Sequence, residues 1–342
     1  MADSMNDDPH SEGELFSADD WQRLRELRAS FLRSEDRVGP IGNYWNTRRD
    51  LELYDATFAQ RIGWKWERVF DELALRGITL EGQVLADWGC GTGIAARRYA
   101  ERVAGVKRVF LSDRNKQATW FARDALLAEH GKLETTLHEP GPDEPFDVLL
   151  VSHVLDELDE AALEALLSLA RRATIVVWVE AGSRRTSRAL STARDRLLEH
   201  FDVLAPCTHR ERCGALGGDE DSSWCHFFGK PPAEVFTSAF WRSFAGELSI
   251  DLRSIPYAFV VLRRRATSGT AGAGARILGR PRIFKGHAKL DVCDASGVRE
   301  LTMLERLDKR LYKRLGQTGE ILVADLRVEG ERIVEFTPRP GA

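Results

Sequence analysis

The segment Asp87-Trp88-Gly89-Cys90-Gly91-Thr92-Gly93 follows a short apolar strand pattern that begins at Val84 and precedes a helical pattern that continues to Glu101. Glycine at every second position allows the backbone to turn sharply and to approach a ligand closely. The helix that follows presents free backbone N–H groups at its N-terminus. A dinucleotide-binding loop needs the spacing G-x-G-x-x-G. The spacing here is G-x-G-x-G behind an acidic residue, whose carboxylate would repel a phosphate, so a different ligand is expected.

The acidic residue and the glycine spacing resemble the first motif of class I methyltransferases, E/D-x-G-x-G-x-G. The resemblance implies S-adenosylmethionine as the cofactor, with Asp87 able to pair with the ammonium group of its methionine moiety. Asp113 stands where the next strand ends, and a carboxylate there can accept hydrogen bonds from both ribose hydroxyls. The predicted cofactor-binding residues are Asp87, Gly89, Cys90, Gly91, Gly93, Asp113, Ser152 and His153. The alternative is a tight strand–helix turn that binds no ligand.

Short apolar runs alternate with helical patterns from Gln83 onward, which predicts an α/β fold. We expect the class I methyltransferase Rossmann-like fold with a seven-stranded sheet. The aromatic stripe from Tyr54 to Leu73 predicts core packing. The predicted units are an acidic disordered tail at 1–15, an N-terminal helical segment at 16–78, the cofactor domain at 79–265 with a cysteine-bearing insertion at about 204–233, and a β-rich module at 275–342. The glycine-rich stretch Ser268–Gly274 predicts a flexible linker.

The residues after the fourth predicted strand, His153 to Leu158, stand where such folds expose side chains to the methyl acceptor. The motif N/D-P-P-Y/F of amino methyltransferases is absent, and so are the paired cysteines that attack a pyrimidine. His153, Asp156 and Glu157 are therefore candidates for a catalytic acid or base. Asp156 could equally cap the next helix, so the catalytic residues stay open.

The composition indicates a protein without membrane contact. No apolar run approaches the roughly 20 residues that cross a bilayer. The first twenty residues contain seven acidic residues and no Lys or Arg, opposite to a secretory signal or an Arg-rich transit peptide. We expect a cytoplasmic protein.

Basic residues are concentrated in the C-terminal third, although the net charge is −4. Eight Lys or Arg residues and no Asp or Glu occur from Arg263 to Lys289. A second basic group contains Arg306, Lys309, Arg310, Lys313 and Arg314. This clustering predicts a polyanionic partner such as a nucleic acid. The alternative is an ordinary solvated face.

Four of the five cysteines, Cys207, Cys213, Cys225 and Cys293, are separated by five, eleven and 67 residues. A disulfide framework is not expected in a long chain without a signal peptide. The spacing is not that of a usual zinc finger, but four thiolates suit a zinc ion or an iron–sulfur cluster. Scattered reduced cysteines are the alternative.

The surroundings of these cysteines resemble the methyltransferase-like assembly-factor family of the small ribosomal subunit, found in mitochondria and in bacteria. The resemblance runs from about residue 40 to the C-terminus. Its matching segments are Asn43–Trp45, His153–Leu158, Glu180–Gly182, Ala193–Asp195, Leu204–His209, Cys213–Leu216, Ser223–Phe228, Lys285–His287 and Asp291–Cys293. Gly214 stands where a proline commonly follows the second cysteine, and Ser223 where an aspartate often precedes the tryptophan. Neither difference removes a cysteine.

The resemblance implies a [4Fe–4S] cluster held by the four cysteines, with zinc as the alternative metal. His209 and His226 are then expected beside the cluster or facing RNA rather than as ligands. Because Cys293 belongs to the C-terminal module and the other three to the insertion, the metal would join two units. The resemblance also implies association with the small ribosomal subunit and its rRNA during assembly.

Two functions from different classes are consistent with these features. One is a methyltransferase that modifies rRNA or a ribosomal protein. The other is a non-catalytic assembly factor that binds S-adenosylmethionine and rRNA, since some members of the family lack methyl transfer. Asp87 and Asp113 favour cofactor binding in both cases, while the missing acceptor motif favours the second. We expect a monomer away from the ribosome.

Overall fold

The computed structural model describes residues 16–35, 44–217, 223–265, 274–317 and 323–339. The acidic tail predicted at 1–15 lies outside these residues. So do Asn43 and all of the predicted linker except Gly274.

The N-terminal segment is helical, as its pattern predicts. It contains α1 (Ala18–Glu35), α2 (Arg48–Tyr54) and α3 (Gln60–Leu75), and a π-helical turn joins α2 to α3. Ser17 begins α1, because its Oγ accepts a hydrogen bond from the backbone N–H of Asp20 at 3.1 Å, which satisfies a free donor of the first turn. These helices pack over the cofactor loop. No helix in the described part of the chain is long and apolar enough to cross a membrane.

The central sheet has the order β3-β2-β1-β4-β5-β8-β6, and β7 pairs with β8 beside β6. The strands are β1 (Val84–Trp88), β2 (Arg108–Ser112), β3 (Glu134–Thr136), β4 (Val148–Ser152), β5 (Ile175–Ala181), β6 (Phe201–Ala205), β7 (Phe227–Gly229) and β8 (Ile255–Arg264). β1 to β5 pair in parallel, and β8 runs antiparallel to β5 and to β6. This is the class I methyltransferase fold. The prediction of seven strands is confirmed, with the short β7 as an addition from the insertion.

Helices cover both faces of this sheet, and its middle strands are therefore mostly apolar. They are α4 (Ile94–Arg102), α5 (Lys116–His130), α6 (Glu160–Ala170), α7 (Arg184–Leu197), α8 (Glu234–Thr237) and α9 (Ala239–Leu248). Two apolar cores lie on opposite faces of the sheet: Trp66 and Tyr99 are enclosed in one, Trp178 and Phe201 in the other.

The β-rich module predicted at the C-terminus is a closed five-stranded barrel with the order β10-β11-β13-β12-β9. Its elements are β9 (Ala275–Phe284), β10 (His287–Asp294), β11 (Gly297–Leu304), α10 (Lys309–Leu315), β12 (Val323–Glu329) and β13 (Arg332–Pro338). The third and fifth strands of the barrel pair in parallel, and the helix stands between the third and fourth. This arrangement is that of the oligonucleotide- and oligosaccharide-binding fold.

A buried ion pair attaches the barrel to α3 of the N-terminal segment. Arg276 of β9 donates to both carboxylate oxygens of Glu72 on α3, through Nη1 and, at 3.0 Å, through Nη2. Glu72 has no exposed surface and Arg276 is 3% exposed. The Arg276 guanidinium also lies 4.2 Å from the centroid of the Phe227 ring. The two units are therefore joined by a desolvated contact.

Candidate functional site

The glycine loop adopts backbone conformations that other residues rarely accept. Gly89, Gly91 and Gly93 have φ values of 65°, 52° and 79°. A Cβ atom on Gly89 would lie 2.6 Å from Cγ1 of Val154, and one on Gly93 would lie 2.9 Å from Cβ of Ala122. Both the torsion angles and the close packing therefore require glycine.

A cavity of about 470 Å³ opens at the carboxyl ends of β1, β2 and β4. Its size is within the range of small-molecule sites, and this edge of a parallel sheet is where such ligands bind. Six residues predicted from the sequence lie on its wall: Gly89, Cys90, Gly91, Asp113, Ser152 and His153. The other two, Asp87 and Gly93, are absent from the wall.

Asp113 faces the cavity from the end of β2. Its Oδ2 accepts a hydrogen bond from the backbone N–H of Gly91 at 3.0 Å, and its Oδ1 accepts from that of Asn115 at 2.8 Å. Burial raises the pKa of this carboxyl. Each carboxylate oxygen can accept a second hydrogen bond, so Asp113 retains acceptor capacity towards the cavity.

Asp87 lies beneath the loop, not beside the cavity. It is 1% exposed, and its Oδ2 accepts from the backbone N–H of Ala96 in the first turn of α4 at 3.1 Å. Burial raises the pKa of Asp87 to about 7. The carboxylate thus holds the start of α4 against the glycine loop. Its Oδ1 is buried without a hydrogen-bond partner among the described residues, and pairing with an ammonium group stays a prediction.

An aromatic wall closes the cavity from the N-terminal segment, and it includes Tyr54, which the sequence pattern assigns to the core. Tyr44, Trp45 and Tyr54 contribute to it, and Nδ2 of Asn115 donates to the carbonyl oxygen of Trp45 at 3.2 Å. Nε1 of Trp45 and Oγ1 of Thr92 are buried without a hydrogen-bond partner in the described structure. Buried polar atoms are normally satisfied, so these two wall residues suit a site that binds a polar ligand.

His153 follows β4 with a φ of 56°, and its ring lies 3.0 Å from the amine of Lys65, measured from Nε2 to Nζ. Burial lowers the pKa of Lys65 to about 7 and lowers the pKa of His153 well below its usual value. The sequence reasoning missed Lys65. The available signal was a single lysine between two tryptophans, within the apolar stripe of α3.

The two acidic candidates are engaged in ion pairs. Asp156 accepts from Nη2 of Arg185 at 2.7 Å, and Glu157 accepts from Nη2 of Arg114 at 2.8 Å. The interpretation of Asp156 as the cap of the next helix is wrong. Asp159 caps α6, because its Oδ1 accepts from the backbone N–H at the third helical position at 2.9 Å.

The four cysteines of the resemblance gather between the insertion and the barrel. Burial raises the pKa of the Cys225 thiol well above its usual value, and the charges of Cys207, Cys213 and Cys293 raise it further. Electrostatic coupling of this kind requires short separations. Within the described ranges, however, no group of three or more His, Cys, Asp or Glu residues is arranged as a metal site. All five cysteines are free thiols.

Side chains around the cysteines order the insertion. Arg194 of α7 donates to the carbonyl oxygens of Glu211 at 2.7 Å and His209 at 3.0 Å. Nε2 of His209 lies 3.5 Å from Sγ of Cys293, so this histidine is next to the thiols. His226 instead stacks on Trp224, with ring centroids 4.5 Å apart.

The basic run of the C-terminal third is partly neutralised by its neighbours. Arg282 donates to Asp291 at 3.0 Å and to Glu300 at 2.7 Å, and Lys289 donates to Glu300 at 2.6 Å. Strands β10 and β11 supply these carboxylates, so this part of the run is paired within the barrel, and the polyanionic partner stays a prediction. Arg280 forms no ion pair with a described residue and lies 4.2 Å from the Phe228 ring centroid.

Comparison with known families extends this description. The family model described as mitochondrial small ribosomal subunit Rsm22 matches residues 65–318. The chain belongs to this family. The Rsm22 match begins on α3 at Lys65 and ends after α10, so it includes the glycine loop, Asp113, the four cysteines and the first three strands of the barrel. The aromatic wall of Tyr44, Trp45 and Tyr54 precedes the matched residues. No curated protein matched the chain.

Solved structures similar to this Rsm22 family member are described as methyltransferases. A proposed RNA methyltransferase from Pyrococcus horikoshii has 14% identity and a TM-score of 0.37, covering 71% of this chain and 98% of its own. The magnesium protoporphyrin IX methyltransferase of Synechocystis PCC 6803 has 13% identity and a TM-score of 0.38, with 73% and 99% covered. The precorrin-6y C5,15-methyltransferase of Geobacter metallireducens has 13% identity and a TM-score of 0.35, with 58% and 86% covered.

Proposed function

We propose that the protein binds S-adenosylmethionine in the cavity and transfers its methyl group to rRNA or to a protein of the small ribosomal subunit. The observation that carries this proposal is the cavity wall, where the glycine loop faces Asp113 and two buried polar atoms have no partner. The description of the Rsm22 family, which names the small ribosomal subunit, supports the choice of partner.

The residues of the wall suit this cofactor. Asp113 has acceptor capacity for ribose hydroxyls, and the rings of Trp45 and Tyr54 offer apolar surface to a purine. When bound, S-adenosylmethionine supplies an electrophilic methyl group. Asp87 supports the loop from below by holding the start of α4.

Replacing Asp113 with alanine should weaken the binding of S-adenosylmethionine about 10- to 100-fold. The variant loses charge-assisted hydrogen bonds worth roughly 1.5–3 kcal/mol. Calorimetric titration measures the effect. Asp124→Ala is the control, because Asp124 pairs with Arg123 at 2.7 Å outside the cavity wall. Equal affinities of Asp113→Ala and the wild type would remove Asp113 from the site.

The second candidate function is a non-catalytic assembly factor that binds S-adenosylmethionine and rRNA. The observation that favours it is the pairing of Asp156 and Glu157 with arginines, which hinders either carboxylate from acting as a free base. Purified small ribosomal subunits incubated with methyl-labelled cofactor separate the two functions. Label in rRNA or protein supports the methyltransferase. Bound cofactor without transfer of label supports the assembly factor.

The barrel provides a second reason to propose an RNA partner. Its strand order is that of a fold that often binds oligonucleotides. The Arg280 guanidinium is held over Phe228, and its charge interacts with that of Asp251 without a direct ion pair among the described residues. A guanidinium stacked on a ring can still donate to a phosphate. A cytoplasmic location and a monomeric state away from the ribosome remain predictions from the sequence.

We further propose that Cys207, Cys213, Cys225 and Cys293 hold a [4Fe–4S] cluster, with zinc as the alternative. The donor set supports this proposal, since four thiols suit either metal, and Sγ of Cys293 lies 3.5 Å from Nε2 of His209 in the insertion. Three come from the insertion and one from the barrel. Ligation would therefore add a second connection beside the ion pair of Glu72 and Arg276.

Anaerobically purified protein should contain iron and acid-labile sulfide, and Cys225→Ser should lose both. Cys90→Ser is the matched control, because Cys90 is also a buried cysteine but lies in the glycine loop. It should retain wild-type iron. Stoichiometric zinc without sulfide would favour the alternative metal, and a preparation without bound metal would contradict the site.

A further inference from the structure

Lys65 is buried and His153 is half-buried at the end of the cavity formed by β4. Lys65 extends from α3 and is 8% exposed, while His153 contributes to the cavity wall. Their nitrogen atoms Nζ and Nε2 are 3.0 Å apart, which is hydrogen-bond distance. The backbone N–H of His153 donates to Val179 on β5 at 3.0 Å, so neighbouring strands fix the position of the ring.

The burial of Lys65 is costly unless a partner compensates it. No described carboxylate lies within ion-pair distance of its amine. The nearby Glu180 instead accepts hydrogen bonds from the backbone N–H of Val154 at 3.1 Å and from Nε1 of Trp178 at 2.8 Å. Arg61 adds a like charge and, together with burial, lowers the pKa of Lys65. A neutral amine that accepts a hydrogen bond from the imidazole is the arrangement these surroundings favour.

The orientation of the imidazole follows from that bond. If Nε2 donates to the Lys65 amine, Nδ1 of His153 is the acceptor nitrogen of the neutral ring. Nδ1 makes no hydrogen bond to any residue in the part of the chain that the structure describes. Nδ1 is therefore available to accept a proton from a molecule in the cavity. The neutral amine of Lys65 can then accept the proton that Nε2 gives up.

We propose that His153 and Lys65 form a proton-accepting relay, and that the methyl acceptor is a nitrogen or oxygen atom that carries a hydrogen before it is methylated. This inference rests on the proposed methyltransferase function and names the class of acceptor. It also gives a reason for an uncompensated lysine in the core.

The relay accounts for the proton and the positive charge that methyl transfer releases. Methyl transfer breaks the sulfur–methyl bond with its electron pair staying on sulfur, forms the bond from methyl to the acceptor, and releases one proton from the acceptor. Nδ1 of His153 takes that proton, and Nε2 passes its own proton to Nζ of Lys65. The amine becomes an ammonium group, so the positive charge that leaves the sulfonium appears on Lys65.

The test measures transfer of labelled methyl to purified small subunits across a pH series. General bases typically contribute 10²–10⁴-fold, so Lys65→Met should lower kcat at least about 100-fold with the affinity for S-adenosylmethionine unchanged. Lys65→Arg should be equally slow, because arginine does not deprotonate. The exposed Lys107 provides the control, and Lys107→Met should match the wild type. The wild-type rate should rise with pH through the titration of the relay, and this rise should be absent in Lys65→Met. Full activity in Lys65→Arg would show that only the charge matters and would overturn the relay.

A second readout does not depend on activity. Nitrogen-15 NMR of the free protein at about pH 9, above the pKa of Lys65, should show the hydrogen of the His153 ring on Nε2, and Lys65→Met should lose this tautomer preference. A ring with its hydrogen on Nδ1 would overturn the relay. If the wild type transfers no label although the tautomer is as expected, the proposed function fails while the assignment of the hydrogen bond stands.

Discussion

Arg276→Ala should lower the free energy of unfolding by about 3–5 kcal/mol, the usual cost of removing one partner from a buried ion pair. The variant leaves the carboxylate of Glu72 desolvated with only Arg76 as a cationic partner. It also removes the guanidinium from the face of Phe227. Because this pair joins α3 to β9, the loss should loosen the barrel, together with Cys293, from the cofactor domain.

Urea denaturation monitored by tryptophan fluorescence measures this effect. Arg282→Ala is the matched control, since Arg282 is on the same strand, forms two ion pairs and has a side chain that is 49% exposed. Exposed pairs contribute about 1 kcal/mol or less. The double variant Glu72→Gln with Arg276→Met removes both charges of the pair, while Arg76 loses its carboxylate partner and keeps its hydrogen bond to the carbonyl oxygen of Pro206 at 2.9 Å. Part of the loss should therefore be recovered. Equal stability of Arg276→Ala and Arg282→Ala would show that the buried pair does not anchor the barrel.

Lys65→Met should remove a pH dependence of stability that the wild type shows above pH 7. Burial lowers the pKa of Lys65 from 10.5 to about 7 in the folded state. Between these values the unfolded chain binds a proton that the folded protein does not, so stability rises with pH. The contribution is complete above pH 10.5 and is lost as the pH falls to 7. At roughly 1.4 kcal/mol per unit, the wild type should gain about 2 kcal/mol relative to Lys65→Met between pH 7 and pH 9.

Comparing the wild type with Lys65→Met separates the pH dependence of stability that Lys65 causes from that of other buried groups. Burial raises the pKa of Glu180 to about 8, so its contribution has the opposite sign and is lost as the pH rises through that value. Glu180 is present in both proteins, and its effect largely cancels in the difference. Chemical denaturation at several pH values provides the measurement. Parallel stability profiles for the two proteins would show that Lys65 is charged in the folded state.

The fold and the cofactor loop were predictable because their signals are local. The backbone torsion angles of a few successive residues require glycine in the loop. The periodic spacing of apolar residues that marks strands and helices is likewise visible within a short stretch of sequence. The position of Asp113 was also predictable, because this residue directly follows β2 and therefore lies at the carboxyl end of the sheet, where the cavity opens. The cysteines could be named from the sequence as well, although their gathering at one place depends on how β7 and β9 pack.

Other features depended on which elements become neighbours in space. Asp87 and Asp113 are both acidic residues at strand ends, but the start of α4 engages one and leaves the other at the cavity. The basic run around Arg282 has no acidic residue in its own segment, yet strands β10 and β11 place Asp291 and Glu300 beside it. Lys65 and His153 are 88 residues apart in the chain. Their hydrogen bond exists only because α3 packs against the end of β4, and the desolvation that changes their pKa values is a property of the packed interior.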